Sequence, residues 1–283
     1  MIGMKKRGVL ALDIDGTLSG SDHHIPDGVA HFLKDLSVDW EIFLITGRSF
    51  TFAETTIHKL DFPFYLAVQN GADILTMHDK TQIMRNYIDA KTLIELDGVL
   101  KDEPEDFLLY SGFDLGDYCY YRPKRFSSAF LKHFEELKRF SPTDWHEIET
   151  LKIEEQQDFP LVKYFGNEQS AFRIQDKVAQ FENLTVSVIR DPLEPDYHMA
   201  MITHKDANKG TSLKKLLKHA NMHGPIIAAG DDNNDTPMLE LADCKIVMGT
   251  APAHMLRSAD IVAAASTEMG IIDALQQATN HNY

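Results

Sequence analysis

Asp13 and Asp15 stand one residue apart, directly after the apolar run Val9-Leu10-Ala11-Leu12. On an extended segment residues i and i+2 point the same way, so both carboxylates can face one site. An uncompensated carboxylate abutting an apolar run is costly. Two anions this close repel unless one holds a proton or a cation sits between them. Mg²⁺ answers that need, being hard, oxygen-seeking and content with one or two carboxylates plus water and phosphate oxygen. An Asp-Gly-Thr sequence after a strand is also ordinary turn chemistry, and the pair alone leaves that alternative open.

A second acidic group, Asp231-Asp232-Asn233-Asn234-Asp235, follows another apolar run, Ile226 to Ala229. Capping a helix explains one such residue, since Asp and Asn favour that position. Three carboxylates in five residues exceed it. A calcium loop of the EF-hand type is excluded, because no glycine stands at the sixth position and no glutamate at the twelfth. The loop reads as a second supplier of Mg²⁺ ligands. Lys209 sits where a helix begins, a place where the macrodipole disfavours a cation. A bound phosphate reverses that sign, because it is attracted both to the helix start and to the ammonium. Alone, Lys209 is equally a solvated surface lysine, and Thr46 an ordinary threonine ending a strand.

The elements that must position these residues alternate along the chain. Val9 to Leu12 reads as a strand buried on both faces. Pro26 opens a helix with Val29, Phe32, Leu33 and Leu36 at helical spacing. Ile42 to Ile45 forms a second strand ending at Thr46-Gly47-Arg48. Ser49 is placed to cap the next helix, which offers Phe52, Ile57 and Leu60 to the core. Phe64 to Val68 is a third strand. This order predicts an α/β fold, a doubly wound parallel sheet with helices on both faces. After about Asn86 strands mix with two or three helices in an α+β texture: Ala90 to Leu100, Phe107 to Tyr110, Tyr118 to Tyr121, Ser127 to Arg139, Leu161 to Phe165, Gln169 to Phe181, Thr185 to Ile189 and His198 to Thr203. From Lys205 the βα pattern resumes. The expected organisation is a Rossmann-like core over 1–85 and 205–283, split by an inserted α+β domain over 86–204. In open parallel sheets the working groups lie just beyond the carboxyl ends of the strands, where the candidate residues fall.

Taken together the four stretches resemble the motifs of the haloacid dehalogenase superfamily. Asp13-Ile14-Asp15-Gly16-Thr17-Leu18 matches its D-x-D-G-T-L, Ile45-Thr46-Gly47-Arg48 its strand-ending threonine, Asn208-Lys209-Gly210 its lysine, and Gly230 to Asp235 its closing G-D-x-x-N-D. Asn70-Gly71-Ala72 resembles a turn of the Cof-type, subclass IIB phosphatases, whose large C2 cap is inserted between the second and third motifs. Asp232 departs from the pattern as an extra carboxylate, which leaves open whether Asp232 or Asp235 touches a metal. The resemblance implies that Asp13 is the nucleophile forming an aspartyl phosphate and Asp15 the general acid and base. It further implies that Thr46, Lys209, Gly16 and Asn234 bind the substrate phosphate. It also implies that Mg²⁺ is held by Asp13, Asp15 through its backbone carbonyl, and Asp231, with Asp235 acting directly or through water. The inserted domain is then a lid that excludes water and selects the leaving group.

Charge and composition limit the alternatives. With 28 basic and 43 acidic residues the net charge is −15, so the surface repels nucleic-acid phosphates and anionic lipid. Two cysteines, Cys119 and Cys244, build neither a disulfide framework nor a structural zinc site. The apolar run at the N-terminus is too short for a membrane span or secretion signal, so a cytoplasmic protein is expected. Tyr118 to Lys124 is an aromatic-basic stretch, read either as a sugar-stacking and anion contact or as a half-exposed cap strand. Asp102 to Asp106 reads as a solvated face, and the thirteen histidines as surface or core residues. The partner expected is a small phosphorylated metabolite, a sugar phosphate first, with no nucleic acid and no membrane. The function expected is a Mg²⁺-dependent phosphatase. The alternatives are a phosphohexomutase, against which the run Asp235-Thr236-Pro237-Met238-Leu239 speaks, and a catalytically silent phosphometabolite-binding protein.

Overall fold

A computed structural model describes residues 6–20, 22–191, 193, 194 and 196–280. Its larger sheet has eight strands in the order Ile261–Ala263, Cys244–Met248, Ile226–Gly230, Gly8–Leu12, Trp40–Ile45, Tyr65–Val68, Asp73–Thr76 and Thr81–Arg85. The first six run parallel, and the last two form an antiparallel extension. Helices Asp27–Leu36, Phe50–Ile57 and Ile271–Thr279 cover one face, and Lys209–His219 with the short Thr236–Leu239 and Ala253–Leu256 the other. Every residue of Gly8–Leu12 is therefore buried, which is why that strand is uniformly apolar. It lies between the strand that follows it in sequence and one more than two hundred residues later. Asp13 stands at the carboxyl end of this strand, where the strand order reverses.

The second sheet has six strands in the order Leu184–Arg190, His198–His204, Leu161–Gly166, Phe107–Tyr110, Cys119–Tyr121 and Trp145–Glu147. Helices Ala90–Leu100 and Glu168–Val178 pack on its outer face around Leu93, Tyr164 and Ile202. Helix Ser128–Phe140 covers part of the opposite face through Phe130 and Phe134. The remainder of that face looks onto the end of the first sheet where Asp13 lies.

Several sequence expectations change. The hairpin Asp73–Thr76 with Thr81–Arg85 was not expected, because its second strand is half-exposed and lacks an apolar run. Ser49 occupies the N-cap of helix Phe50–Ile57 but its side chain makes no capping bond. The amide of Thr51 instead donates to Asp117, 2.6 Å away on the second sheet's connecting turn, and Phe113 of the same turn packs edge-on against Phe50. Phe52, expected in the core, is only partly buried and lines the cavity between the sheets. The stretch Asp102 to Asp106 is only in part a solvated face: Asp102 and Pro104 are exposed, but the other acids are engaged. Asp106 is buried in a bidentate pair with Arg122, and Glu103 meets Arg173 and Lys177 at 2.8 and 2.6 Å. Those cations remove the reason for the carboxylates to face water. Arg122 is consumed in this way, and the Tyr118 to Lys124 stretch lies off the cavity, with Tyr118 stacked on His146.

Candidate active site

Four chain segments converge at the ends of adjacent parallel strands. Lys209 is almost fully buried, 1 % exposed, and its ammonium donates to Asp13 at 2.5 Å and to Asp235 at 2.6 Å. The helix it opens is capped by Asn208, whose side chain accepts from the Thr211 amide at 2.9 Å. Asp13, Asp231 and Asp235 offer carboxylate oxygens that all lie within 4.8 Å of one another. Three carboxylates and one ammonium leave an excess of negative charge. Burial, with Asp235 beside it, pushes the Asp13 carboxyl up to about 8 although Lys209 opposes the shift. Burial and the neighbouring Asp13 and Asp235 raise Asp231 well above its ordinary range too. For Lys209 burial acts downward, but the two carboxylates overcome it and hold the ammonium well above its usual value.

The loop after strand Ile226–Gly230 sorts its three acids. Asp232 is the N-cap of a short helical turn, its side chain accepting from the Asn233 amide at 2.6 Å. Asp235 closes a capping box, its Oδ2 accepting from the amides of Asp231 and Asp232 at 3.0 and 3.1 Å. Both of its oxygens are thus engaged, one by Lys209 and one by the loop. The Asp231 side chain carries no such obligation and lines the cavity with Asp13, Asp15, Gly16 and Asn234. Gly16 has φ +73°, and a Cβ there would lie 2.0 Å from the Asp231 Oδ2. Only glycine lets these two segments meet so closely. Thr46 is fully buried, its hydroxyl accepting from the Arg48 amide at 3.1 Å. Thr46, Lys209 and Asp235 are buried and are not part of the cavity lining, while Asn234 lines it and reaches the Asn70 side chain at 3.4 Å.

The Asp15 side chain does not join the three-carboxylate group. Arg48 grips it with two N–H groups, Nε to Oδ2 at 2.7 Å and Nη2 to Oδ1, and His23 Nδ1 stands 3.5 Å from Oδ1. Burial alone would raise its carboxyl, but the paired Arg48 guanidinium, with His23 beside it, holds it well below the usual carboxylate range. The side chain keeps 45 % of its surface open, and that opening is the cavity itself. The Arg48 guanidinium in turn lies 4.0 Å over the Phe52 ring. Sequence reasoning gave no role to Arg48 and counted His23 among surface or core histidines. Arg48 is adjacent to the Thr46-Gly47 pair, the one available signal. His23 reaches Asp15 through a backbone with φ 57°, which no pattern announces.

The donor set suits a hard divalent ion: among the described residues Asp13 and Asp231 face the cavity with one ammonium, Lys209, to balance them, and a hard cation asks for oxygen donors of this kind. Binding needs ionised carboxylates, whereas both hold protons more tightly than usual in the metal-free protein. Adding Mg²⁺ near pH 7 is therefore expected to release protons and raise the melting temperature. Calorimetry in buffers of differing ionisation enthalpy reads the release, and Asp231→Asn should reduce both signals. An unchanged melting temperature at millimolar Mg²⁺ would contradict this assignment.

Phosphatase YwpJ of Bacillus subtilis is 23 % identical over 283 residues, covering 93 % of this chain and 96 % of that protein. From the same organism, 5-amino-6-(5-phospho-D-ribitylamino)uracil phosphatase YitU is 21 % identical over 281 residues, 95 % of this chain and 96 % of its own. Among solved structures, a haloacid dehalogenase-like hydrolase from B. subtilis superposes with a TM-score of 0.78 at 23 % identity, covering 95 % of this chain and 99 % of that one. The subclass IIB sugar phosphatase BT4131 superposes with a TM-score of 0.74 at 19 % identity, over 96 % and 99 %. The family model of the haloacid dehalogenase-like hydrolases spans residues 10–275, from the strand before Asp13 to the last helix, and the chain belongs to that family.

Proposed function

We propose that this hydrolase is a Mg²⁺-dependent phosphatase that cleaves the monoester of a small phosphorylated metabolite through an aspartyl phosphate on Asp13. The observation that carries the reading is the Lys209 ammonium held between Asp13 and Asp235, with Asp231 in reach. Sugar phosphates are the substrate class raised by the sequence, and the name of BT4131 is in keeping with it.

The residues divide the work. An oxygen of Asp13 attacks phosphorus as the bond to the leaving alkoxide breaks, and the alkoxide takes its proton from Asp15. Water then attacks the same phosphorus, gives its proton to Asp15, and releases inorganic phosphate and free Asp13. Arg48 and His23 hold Asp15 in one direction and keep it ionised while the site is empty. That state serves the second step, and the first requires Asp15 to take up a proton against this pair. Lys209 neutralises Asp13 in the resting site and, with Thr46, Asn234 and the backbone near Gly16, lies on the side where the phosphoryl oxygens would gather. Asp13, the Asp15 carbonyl and Asp231 would hold Mg²⁺, with Asp235 bracing the loop, and the ion would supply charge neutralisation of the kind on which phosphoryl transfer chiefly depends.

A panel of phosphate monoesters assayed with Mg²⁺ and with EDTA tests the reading. Phosphate release that EDTA abolishes and Mg²⁺ restores is the expected result. With a hexose 1-phosphate, an isomeric sugar phosphate formed without phosphate release would replace the phosphatase by a mutase. Tight phosphometabolite binding without turnover on any ester would replace it by a binding protein.

A further inference from the structure

The chain leaves the first sheet at Arg85 and, after Asn86 and Tyr87, enters the short strand Ile88–Asp89, whose Ile88 packs in the core of the second sheet. Two carboxylates are buried beside this crossing. Asp73, in strand Asp73–Thr76 of the first sheet, is fully buried. Its oxygens lie 2.7 and 2.8 Å from the Tyr87 hydroxyl and accept from the Gln82 side chain and, at 3.2 Å, from the Phe113 amide. Phe113 belongs to the turn 112–117, which joins strands Phe107–Tyr110 and Cys119–Tyr121 of the second sheet. Asp117 ends that turn, is 3 % exposed, and accepts from the Thr51 amide at 2.6 Å and the Gln69 side chain at 3.4 Å. Each sheet thus offers a carboxylate to an amide of the other. Gly112 lets the turn seat: its φ is +85°, and a Cβ there would lie 2.0 Å from the Tyr87 hydroxyl.

All of these donors are neutral. Arg85 stands opposite Asp73 in the strand register, but its guanidinium goes to Asp158 at 2.6 Å and lies 4.2 Å over the Tyr87 ring. Exposed Asp114 acts on Tyr87, while Ser49, Phe50, Tyr110, Cys119 and Lys163 surround Asp117. Among the described residues neither carboxylate has an ion pair, Lys163 included. Burial outweighs the neutral donors. It pushes the Asp73 carboxyl up to about 6, with the Asp117 charge adding to the rise, and it raises Asp117 as well. A phenol has one proton, which satisfies one of the two short contacts between Tyr87 and Asp73; a proton on the carboxyl fills the other.

Lifting the second sheet would return both groups to water, where carboxyls ionise at ordinary values. The seated form therefore binds protons that the lifted form releases. We propose that Asp73 and Asp117 make this seam a pH-sensitive catch: protonated, they hold the second sheet down over the cavity, and ionised, they let it lift. The sign follows from linkage. The contribution of Asp73 to seating is full below about pH 4 and is lost as pH climbs through 6. No step of the phosphatase reading enters here, and the test needs no substrate.

Hydrogen exchange of the metal-free protein, corrected for the intrinsic rate at each pH, is read in peptides covering 49–57 and 110–118. Protection there should fall about tenfold or more from pH 5 to pH 8 with a midpoint near 6, the change that linkage gives for a carboxyl raised from 3.8 to about 6. Strand Gly8–Leu12, deep in the first sheet, supplies the reference for global unfolding. Asp73→Asn cannot ionise and should flatten the fall to about threefold or less, the remainder belonging to Asp117. Tyr87→Phe removes a donor to the ionised carboxylate and should move the midpoint to higher pH; it also provides the second reading if Asp73→Asn does not fold. The proposal is overturned if the parent is equally protected at pH 5 and pH 8, if protection rises with pH, or if Tyr87→Phe leaves the midpoint in place. It is overturned too if the whole fall survives Asp73→Asn. That outcome would hand the effect to another group between the sheets, such as His23 packed on Phe140. A protein that hydrolyses no ester would strike the phosphatase reading and leave these exchange profiles intact.

Discussion

Asp13→Asn is expected to lower phosphate-ester hydrolysis on the order of 10⁴-fold or more, because it removes the atom to which the phosphoryl group must be transferred. The substitution is nearly isosteric. It removes one acid from a crowded group in which burial and neighbouring carboxylates already raise Asp13 and Asp231. The metal-free protein should therefore fold as well as the parent or better. The sign follows from titration. Asp13 is raised from 3.8 to about 8 in the folded chain, so the native state binds the proton more strongly than the unfolded state. Its contribution to stability is full below about pH 4 and is lost as pH climbs towards 8. The amide has no such proton to lose, and the variant's unfolding free energy should decline less over that window. Rate measurements with a phosphate monoester and urea unfolding at several pH values check the two halves separately. Residual activity within tenfold of the parent would remove Asp13 from the nucleophile's role.

Lys209→Met carries the second large effect, and in both quantities at once. The ammonium is the sole cation bonded to Asp13 and Asp235 among the described residues, and it is buried with them. Removing one partner of such a cluster leaves uncompensated buried charge, at a cost of about 3–5 kcal/mol. Part of this should be recovered at low pH, where Asp13 and Asp231 are protonated, or by Mg²⁺. Turnover should fall roughly 10²–10³-fold through loss of a charge near the phosphoryl oxygens. Urea midpoints with and without Mg²⁺, set beside kcat, test this. A variant as stable as the parent in the absence of Mg²⁺ and at alkaline pH would show that the ammonium is not what holds these carboxylates together.

Legibility differs between the two halves of the molecule for physical reasons. Strands buried on both faces announce themselves as unbroken apolar runs, and Val9 to Leu12 and Ile226 to Ala229 led directly to the α/β fold with its doubly wound sheet. The carboxylates beyond them are conspicuous because acids seldom adjoin such runs. The structure indeed brings Asp13, Lys209, Asp231 and Asp235 together. What stayed hidden depends on partners distant in sequence. Asp106 and Glu103 look solvated until Arg122, Arg173 and Lys177 are folded against them. The cap supplied by Asp117 to Thr51 crosses 66 positions, beyond any local rule.

The link between Asp117 and Thr51 ties the integrity of a two-turn helix to the posture of the domain above it. Helix Phe50–Ile57 starts two residues after Arg48, the side chain that grips Asp15. Lifting the upper half away would strand the first amides of that helix without an acceptor, and so short a helix has little reserve against fraying. Substrate entry and a loosened hold on Asp15 would then be one event, with the backbone itself acting as the clutch between them.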